Sequence, residues 1–150
     1  MARFYPALEE KHRTFIAAQK IFFTATGTAV YLRGSITLTD LGTFARTGGS
    51  ITLQGTLDAE GGTIDLTQGL FQDLRLDGGT LANATLIEGA QAALGLTTNA
   101  SNTLSNVTVQ GGLTLGQSQA LTVTGGTTVA GPISVGSNST LTFNGYDSLP

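Results

Sequence analysis

The stretch from Gly111 to Phe143 limits the architecture more than any other part of the chain. Its apolar residues come in pairs one residue apart, Leu113/Leu115, Leu121/Val123, Ile133/Val135 and Leu141/Phe143, set off from one another by Gly, Ser, Thr, Asn or Gln. A period of two puts both members of a pair on one face of a very short strand and turns the residue between them the other way. The links of five to nine residues are small and polar, too short and too poor in helix formers to hold a crossover helix. The chain must therefore turn and stack. The fold expected is all-β: a right-handed parallel β-helix, or β-solenoid, whose short strands lie on their equivalents in the preceding coil with the apolar pairs inward.

Composition agrees with strands rather than disorder. The 150 residues are 40% hydrophobic and 11% charged, with a net charge of -3, the reverse of the low-hydropathy, high-charge signature. Thr is β-branched and suits a pleated surface, so here Thr, Ser, Asn and Gln supply the polar exterior. There is no cysteine, which removes disulfides, thiolate metal sites and Cys nucleophiles. No apolar run reaches the roughly 20 residues of a membrane-spanning helix, and Ile21 to Leu32 lacks the pattern of a clear signal peptide.

The charges divide the chain in two. Residues 1–33 carry Arg3, Lys11, Arg13, Lys20 and Arg33 with two acids, whereas residues 34–150 carry two basic groups and eight acids. The net of -6 over the second part (2 minus 8) argues against nucleic acid as a partner, because phosphate binding needs clustered Lys and Arg. Residues 3–23 are the only helical candidate, with Leu8, Phe15, Ile16 and Gln19 at helical spacing and Pro6 suited to a first turn. An amphipathic helix there would cap the open first coil. The organisation expected is an N-terminal helix and lead-in strand over 1–33 and a solenoid of about six to eight coils over 34–150.

Gly-Gly doublets stand at Gly48/Gly49, Gly61/Gly62, Gly78/Gly79, Gly111/Gly112 and Gly125/Gly126. Paired glycines permit a positive φ at a tight corner. If each doublet marks the same recurring corner, one coil spans about 13 to 17 residues, and the long gap from Gly79 to Gly111 holds two coils.

Two family resemblances accompany these patterns. Asn102 to Val109, Gly112 to Leu115 and Leu121 to Gly126 are similar to secreted bacterial β-helix proteins of the filamentous-haemagglutinin and autotransporter-passenger kind, and the similarity extends over residues 34–150. That resemblance implies a surface-exposed or secreted stalk or adhesin. MARFYPALEEKHRTFIAAQKIFFTATG resembles the N-terminal leader of pyridoxamine-phosphate-oxidase-like flavin proteins: an Arg-Phe-Tyr start, a helix ending near Gln19, then a strand from Phe22 to Thr26. The family's FMN-phosphate strand and loop would follow, but Ala29 to Gly34 stands there without a Ser-Pro-Lys-Gly stretch. No flavin-binding residue carries over, and no cofactor is expected.

The groups that could carry chemistry are acidic: Asp58, Glu60, Asp65, Asp73, Asp77 and Glu88. Carboxylates on adjacent coils could stand about 5 Å apart, near the spacing of retaining glycosidases, or several could hold calcium, as in polysaccharide lyases of this fold. Asp58, Glu60 and Asp77 sit at glycine corners, where solvated turn residues are the ordinary outcome. Arg46 and Arg75 are the only basic groups after residue 33. His12 is the only histidine, on the flank of the helical candidate, so no His-metal set can be assembled unless every other ligand is a carboxylate.

Asp58, Glu60, Asp65, Asp73 and Asp77 are thus candidate carbohydrate or calcium contacts, and no catalytic, cofactor or metal residue is assigned. The function expected is a non-catalytic structural or adhesive segment of a larger exported bacterial surface protein, extracellular or at the cell surface. Its expected partners are surface glycans or proteins, with end-to-end self-association through uncapped coils. The alternatives are a carbohydrate-active β-helix enzyme with a groove over Asp58 to Asp77, or a relative of FMN-binding oxidase-like proteins at the N-terminus only.

Overall fold

A computed structural model describes residues 22–145. It is a parallel β-solenoid of about six turns. The first coil holds β1 (Phe22–Thr26), β2 (Ala29–Leu32), β3 (Ser35–Thr37) and the short helix α1 (Leu38–Leu41). The second holds β4 (Thr43–Thr47), β5 (Ser50–Leu53), β6 (Thr56–Asp58) and β7 (Thr63–Asp65), and the third a 3-10 turn (Gly69–Phe71), β8 (Leu74–Leu76) and β9 (Thr80–Ile87). In the fourth lie β10 (Gly95–Leu96) and β11 (Thr103–Gln110); in the fifth, β12 (Leu113–Leu115), β13 (Ala120–Thr124) and β14 (Thr128–Val129); in the sixth, β15 (Ile133–Val135) and β16 (Thr140–Asn144).

The helix expected over residues 3–23 as a cap lies outside the described residues up to residue 21. At its far end the expectation is corrected: Phe22 and Phe23 begin β1, which pairs with β4. Stacked strands therefore start before Gly34.

Each pairing register advances the chain by one coil. The advance is least at Thr103↔Thr122 (122 minus 103 is 19) and greatest at Thr56↔Thr80 (80 minus 56 is 24), with the others between. The shorter coil expected from the glycine doublets is therefore overturned. The doublets mark different corners: Gly48/Gly49 separate β4 from β5, Gly61/Gly62 β6 from β7, and Gly78/Gly79 β8 from β9. Gly61/Gly62 and Gly125/Gly126 share a corner, the one before β7 and β14, and they lie three coils apart. At Gly49 the need for glycine is double: φ is +68, and a Cβ would collide with the backbone of Thr28 one coil below.

The core is a set of vertical aliphatic columns. Ile36, Leu57, Leu81, Leu104 and Val123 are successive cross-strand partners and all buried. So are Leu32, Leu53, Leu76 and Leu96, and Ile64, Leu86, Val109 and Val129. Each such side chain contributes about 1.5–3 kcal/mol relative to an exposed position. The inward pairs Leu113/Leu115 and Leu121/Val123 expected from sequence are buried.

β9 and β11 are long because they continue round a corner, at Asn83 (φ 54) and Asn106 (φ 55). Asn tolerates this left-handed backbone better than other side chains. The two amides also form a ladder: Asn106 Nδ2 donates to Asn83 Oδ1 (2.8 Å), and Asn83 Nδ2 to Asp58 Oδ1 (3.0 Å). Where the strand ladder through β1 and β4 gives way to the 3-10 turn, Arg46 replaces it. Its guanidinium donates to the carbonyls of Leu70 (3.0 Å), Gly48 (2.7 Å) and Gln72.

Asn102 is a staple in the interior. It is fully buried, one residue before Thr103 and so level with Leu121 of the next coil. Its Oδ1 accepts from the Gly78 N–H (2.7 Å), and its Nδ2 donates to the Thr97 and Ala120 carbonyls (both 3.1 Å). Removing it strands one donor and two acceptors away from water, so Asn102→Ala should lower unfolding stability by about 2–4 kcal/mol. Ser101→Ala at the exposed neighbouring position should change it by less than about 0.5 kcal/mol. Urea unfolding followed by circular dichroism measures both; equal midpoints for the two variants would refute the staple.

Candidate functional site

The same registers that align the core align the outward residues between its columns. Ser35, Thr56, Thr80, Thr103, Thr122 and Thr142 are cross-strand partners in turn, a hydroxyl ladder running through all six coils. Beside it, two residues further along each strand, run Thr37, Asp58, Ala82, Ser105, Thr124 and Asn144. Beyond the Asn83/Asn106 corner a third ladder is Thr throughout: Thr63, Thr85, Thr108 and Thr128. Adjacent rungs of a stacked sheet lie about 4.7–4.9 Å apart. The result is a half-exposed array whose one charge is Asp58, with a hydroxyl on every rung of the first and third ladders. The Thr abundance was plain in the sequence, but the ladders depend on a register step that differs from coil to coil and so on the fold.

The acidic residues fall at separate places. Asp58 and Glu60 stand at the corner between β6 and β7. Asp58 Oδ1 accepts from the Glu60 N–H (2.8 Å) as well as from Asn83, and Glu60 Oε1 accepts from Thr39 Oγ1 (2.8 Å). Asp65 ends β7, its Oδ1 accepting from the Thr67 hydroxyl (2.6 Å) and N–H (2.8 Å). Asp73 precedes β8 with φ 63. Asp77 follows β8 in a polar chain that crosses four coils: Arg33 Nε donates to Gln54 Oε1 (2.7 Å), Gln54 Nε2 to Asp77 Oδ2 (3.0 Å), and Thr97 Oγ1 to Asp77 Oδ1 (3.1 Å). Among the described residues no three acidic or histidine side chains converge in a way that could hold a metal ion.

These hydrogen bonds hold four carboxyls below the usual range. Asn83 does so chiefly for Asp58, the Thr39 hydroxyl for Glu60, the Thr67 hydroxyl for Asp65 and Gln54 for Asp77. Their lone pairs serve turns and coil-to-coil links. As in any group with a depressed folded-state pKa, their contribution is present above the unfolded value and lost as pH falls through the folded one.

Glu88 behaves oppositely. It lies just past β9, level with Gly111 of the next coil, and lines an open cavity of about 340 Å³ with Gly89, Ala90, Ala93, Gly111, Gly112 and Thr114. Its Oε2 accepts from the Leu94 N–H (2.8 Å), which closes the 88–94 loop. Burial pushes its carboxyl up despite that bond. The cavity lacks a second carboxylate, so the paired-acid geometry of glycoside hydrolysis is not assembled in it.

One further exposed group lies on the outer side of β2, where Tyr31 is 53% exposed and the Arg33 guanidinium sits 5.4 Å from its ring centroid. The described residues contain no helix long and apolar enough to cross a membrane. In comparisons with known proteins the chain matches no family model, and no curated protein or solved structure matches it significantly.

Because ionisation of a half-buried carboxyl is penalised in the folded state, the wild-type protein loses stability from Glu88 as pH rises through its elevated pKa. Glu88→Gln keeps an acceptor for the Leu94 N–H without the charge. Its melting temperature should exceed that of the wild type at pH 7, and the gap should close as pH falls into the carboxylate range, where both side chains are neutral. A gap that is unchanged or widens on acidification would contradict the burial of a charge there.

Proposed function

We propose that this chain is a non-catalytic, adhesive β-solenoid segment of an exported bacterial surface protein, and that its hydroxyl ladders are the contact face for neutral surface glycans. The observation that carries the reading is the unbroken Ser35 to Thr142 ladder with its all-Thr companion from Thr63 to Thr128. A stack of hydroxyls and methyls at a constant rise offers repeated hydrogen-bonding and apolar contact to a polymer that is itself a repeat of hydroxyls and ring faces. The face is uncharged apart from Asp58, which suits a neutral ligand over an ionic one. The carboxylates that an enzyme of this architecture would turn toward substrate are instead engaged by their own turns and neighbouring coils.

The function is tested by retention of the purified chain on an array of neutral and acidic glycans. Replacing Thr80, Thr103 and Thr122 together by Val removes three consecutive hydroxyls while keeping β-branched side chains of the same shape. Wild-type protein should be retained by neutral glycans, and the triple variant should bind at least roughly tenfold more weakly, the loss of a few net hydrogen bonds, with an unchanged far-ultraviolet spectrum. Equal binding by both proteins, or no retention of the wild type, would sink the proposal. Turnover of an acidic polysaccharide that Asp65→Ala or Asp77→Ala abolishes would establish the enzymatic alternative in its place.

A further inference from the structure

We infer that the open cavity beside Glu88 is a binding site for one amine-bearing sugar unit, whose ammonium group is held by the Glu88 carboxylate. The cavity lies in the middle of the stack, where the loop from Glu88 to Leu94 in the fourth coil meets the Gly111 to Thr114 segment of the fifth. Its volume of about 340 Å³ is at the small end of the roughly 300–1,000 Å³ usual for small-molecule sites. Its shape comes from missing side chains. Gly111 has φ +138, and a Cβ there would stand 3.7 Å from Glu88 Oε1, so the glycine leaves the approach to that oxygen clear. Gly112 also lines the cavity, and Ala90 and Ala93 bring only methyl groups.

The chemistry of the occupant follows from what Glu88 lacks. Its Oε2 accepts from the Leu94 N–H, whereas Oε1 has no hydrogen-bond partner among the described residues. Burial has withdrawn water from the carboxylate, and no neighbouring cation offsets the loss. The basic side chains among the described residues are engaged elsewhere: Arg33 over Tyr31, Arg46 on main-chain carbonyls and Arg75 beside Asp77. From residue 89 to residue 146 there is no charged residue. A partly dry carboxylate without a counter-ion gains most from a ligand that brings one. Calcium would need about six to eight oxygens, and the cavity offers a single carboxylate. A primary ammonium carries its own three donors, and its charge-assisted bond to a carboxylate is of the stronger kind. The methyls of Ala90 and Ala93 suit the apolar face of a pyranose, and the Thr114 hydroxyl suits its hydroxyls. The sugar as carrier of the amine rests on the glycan-binding reading above; the ammonium is set by Glu88 alone.

Titration of the isotope-labelled full chain with D-glucosamine at pH 7, read by amide chemical shifts, tests the site. Saturable shifts are expected at Leu94 and at the amides around the cavity, and glucose and N-acetylglucosamine, which lack the charge, should bind at least roughly tenfold more weakly. Glu88→Gln removes the charge and keeps the acceptor for Leu94, whereas Ala93→Leu, at an exposed position, fills the cavity with Glu88 intact. Each should weaken glucosamine binding by roughly tenfold or more. The variant with Thr80, Thr103 and Thr122 replaced by Val should bind glucosamine as the wild type does, so failure at the ladders and failure at the cavity are read separately. The inference is overturned by an absence of saturable shifts around the cavity, by undiminished binding to Glu88→Gln, or by N-acetylglucosamine binding as tightly as glucosamine. Nα-acetyl-lysinamide presents the same ammonium on a peptide; binding as tight as that of glucosamine would overturn the sugar and give the site to a protein lysine.

Discussion

Everything in this molecule depends on one coil lying in register on the coil before it. Parallel pairing satisfies the backbone groups along each strand, and the same registration places an aliphatic side chain directly over another, from Ile36 to Val123 on one side and from Leu32 to Leu96 on another. Neither contribution is available to a single coil, which is a loop of chain with one small apolar face. Stability accrues between neighbours, as in other quasi-one-dimensional repeats. Residues on the outside inherit this order: once the leucines are stacked, the threonines between them are stacked too.

A solenoid built from coils of unequal length cannot keep its ladder perfect, and two of its buried polar side chains, Asn102 and Thr127, occur where it fails. Asn102 takes a core position beside the loop that precedes β11 and bonds backbone groups of three successive coils. Thr127, also buried, accepts from the Val107 N–H and has its hydroxyl within reach of the Leu104 and Thr124 carbonyls, near where β13 ends and β14 has yet to begin. Arg46 supports the face that loses its strand after the second coil. Each meets the requirement that buried backbone groups find partners, and each substitutes for a missing strand bond. Glu88 belongs to the same class, at the cost of holding a carboxyl in a partly dry place.

The acidic residues show how one stretch of sequence is divided among separate corners of the stack. Asp58, Glu60, Asp65 and Asp77 fall in one stretch of sequence about as long as a single coil, which brings them near one level but to different corners. Their hydrogen bonds go to turn amides, hydroxyls and neighbouring amide side chains. The Thr-rich face, with Asp58 its one charged rung, is an extended surface along the side of the stack.

The sequence by itself determined that the chain is a parallel β-solenoid, because apolar pairs at period two, separated by links too short for helices, permit little else. It also placed the inward residues correctly at Leu113, Leu115, Leu121 and Val123, since strand periodicity is a local property. Coil length was not legible: Gly doublets report tight corners, and a coil with several corners uses them at more than one, so the interval between doublets is not a turn of the solenoid. The hydroxyl ladders, the three-coil reach of Asn102 and the opposite behaviour of Glu88 among the acids were decided by tertiary structure alone. Each depends on which residue comes to lie directly above it in the next coil, and that is set by how each loop packs, not by any pattern within the strand.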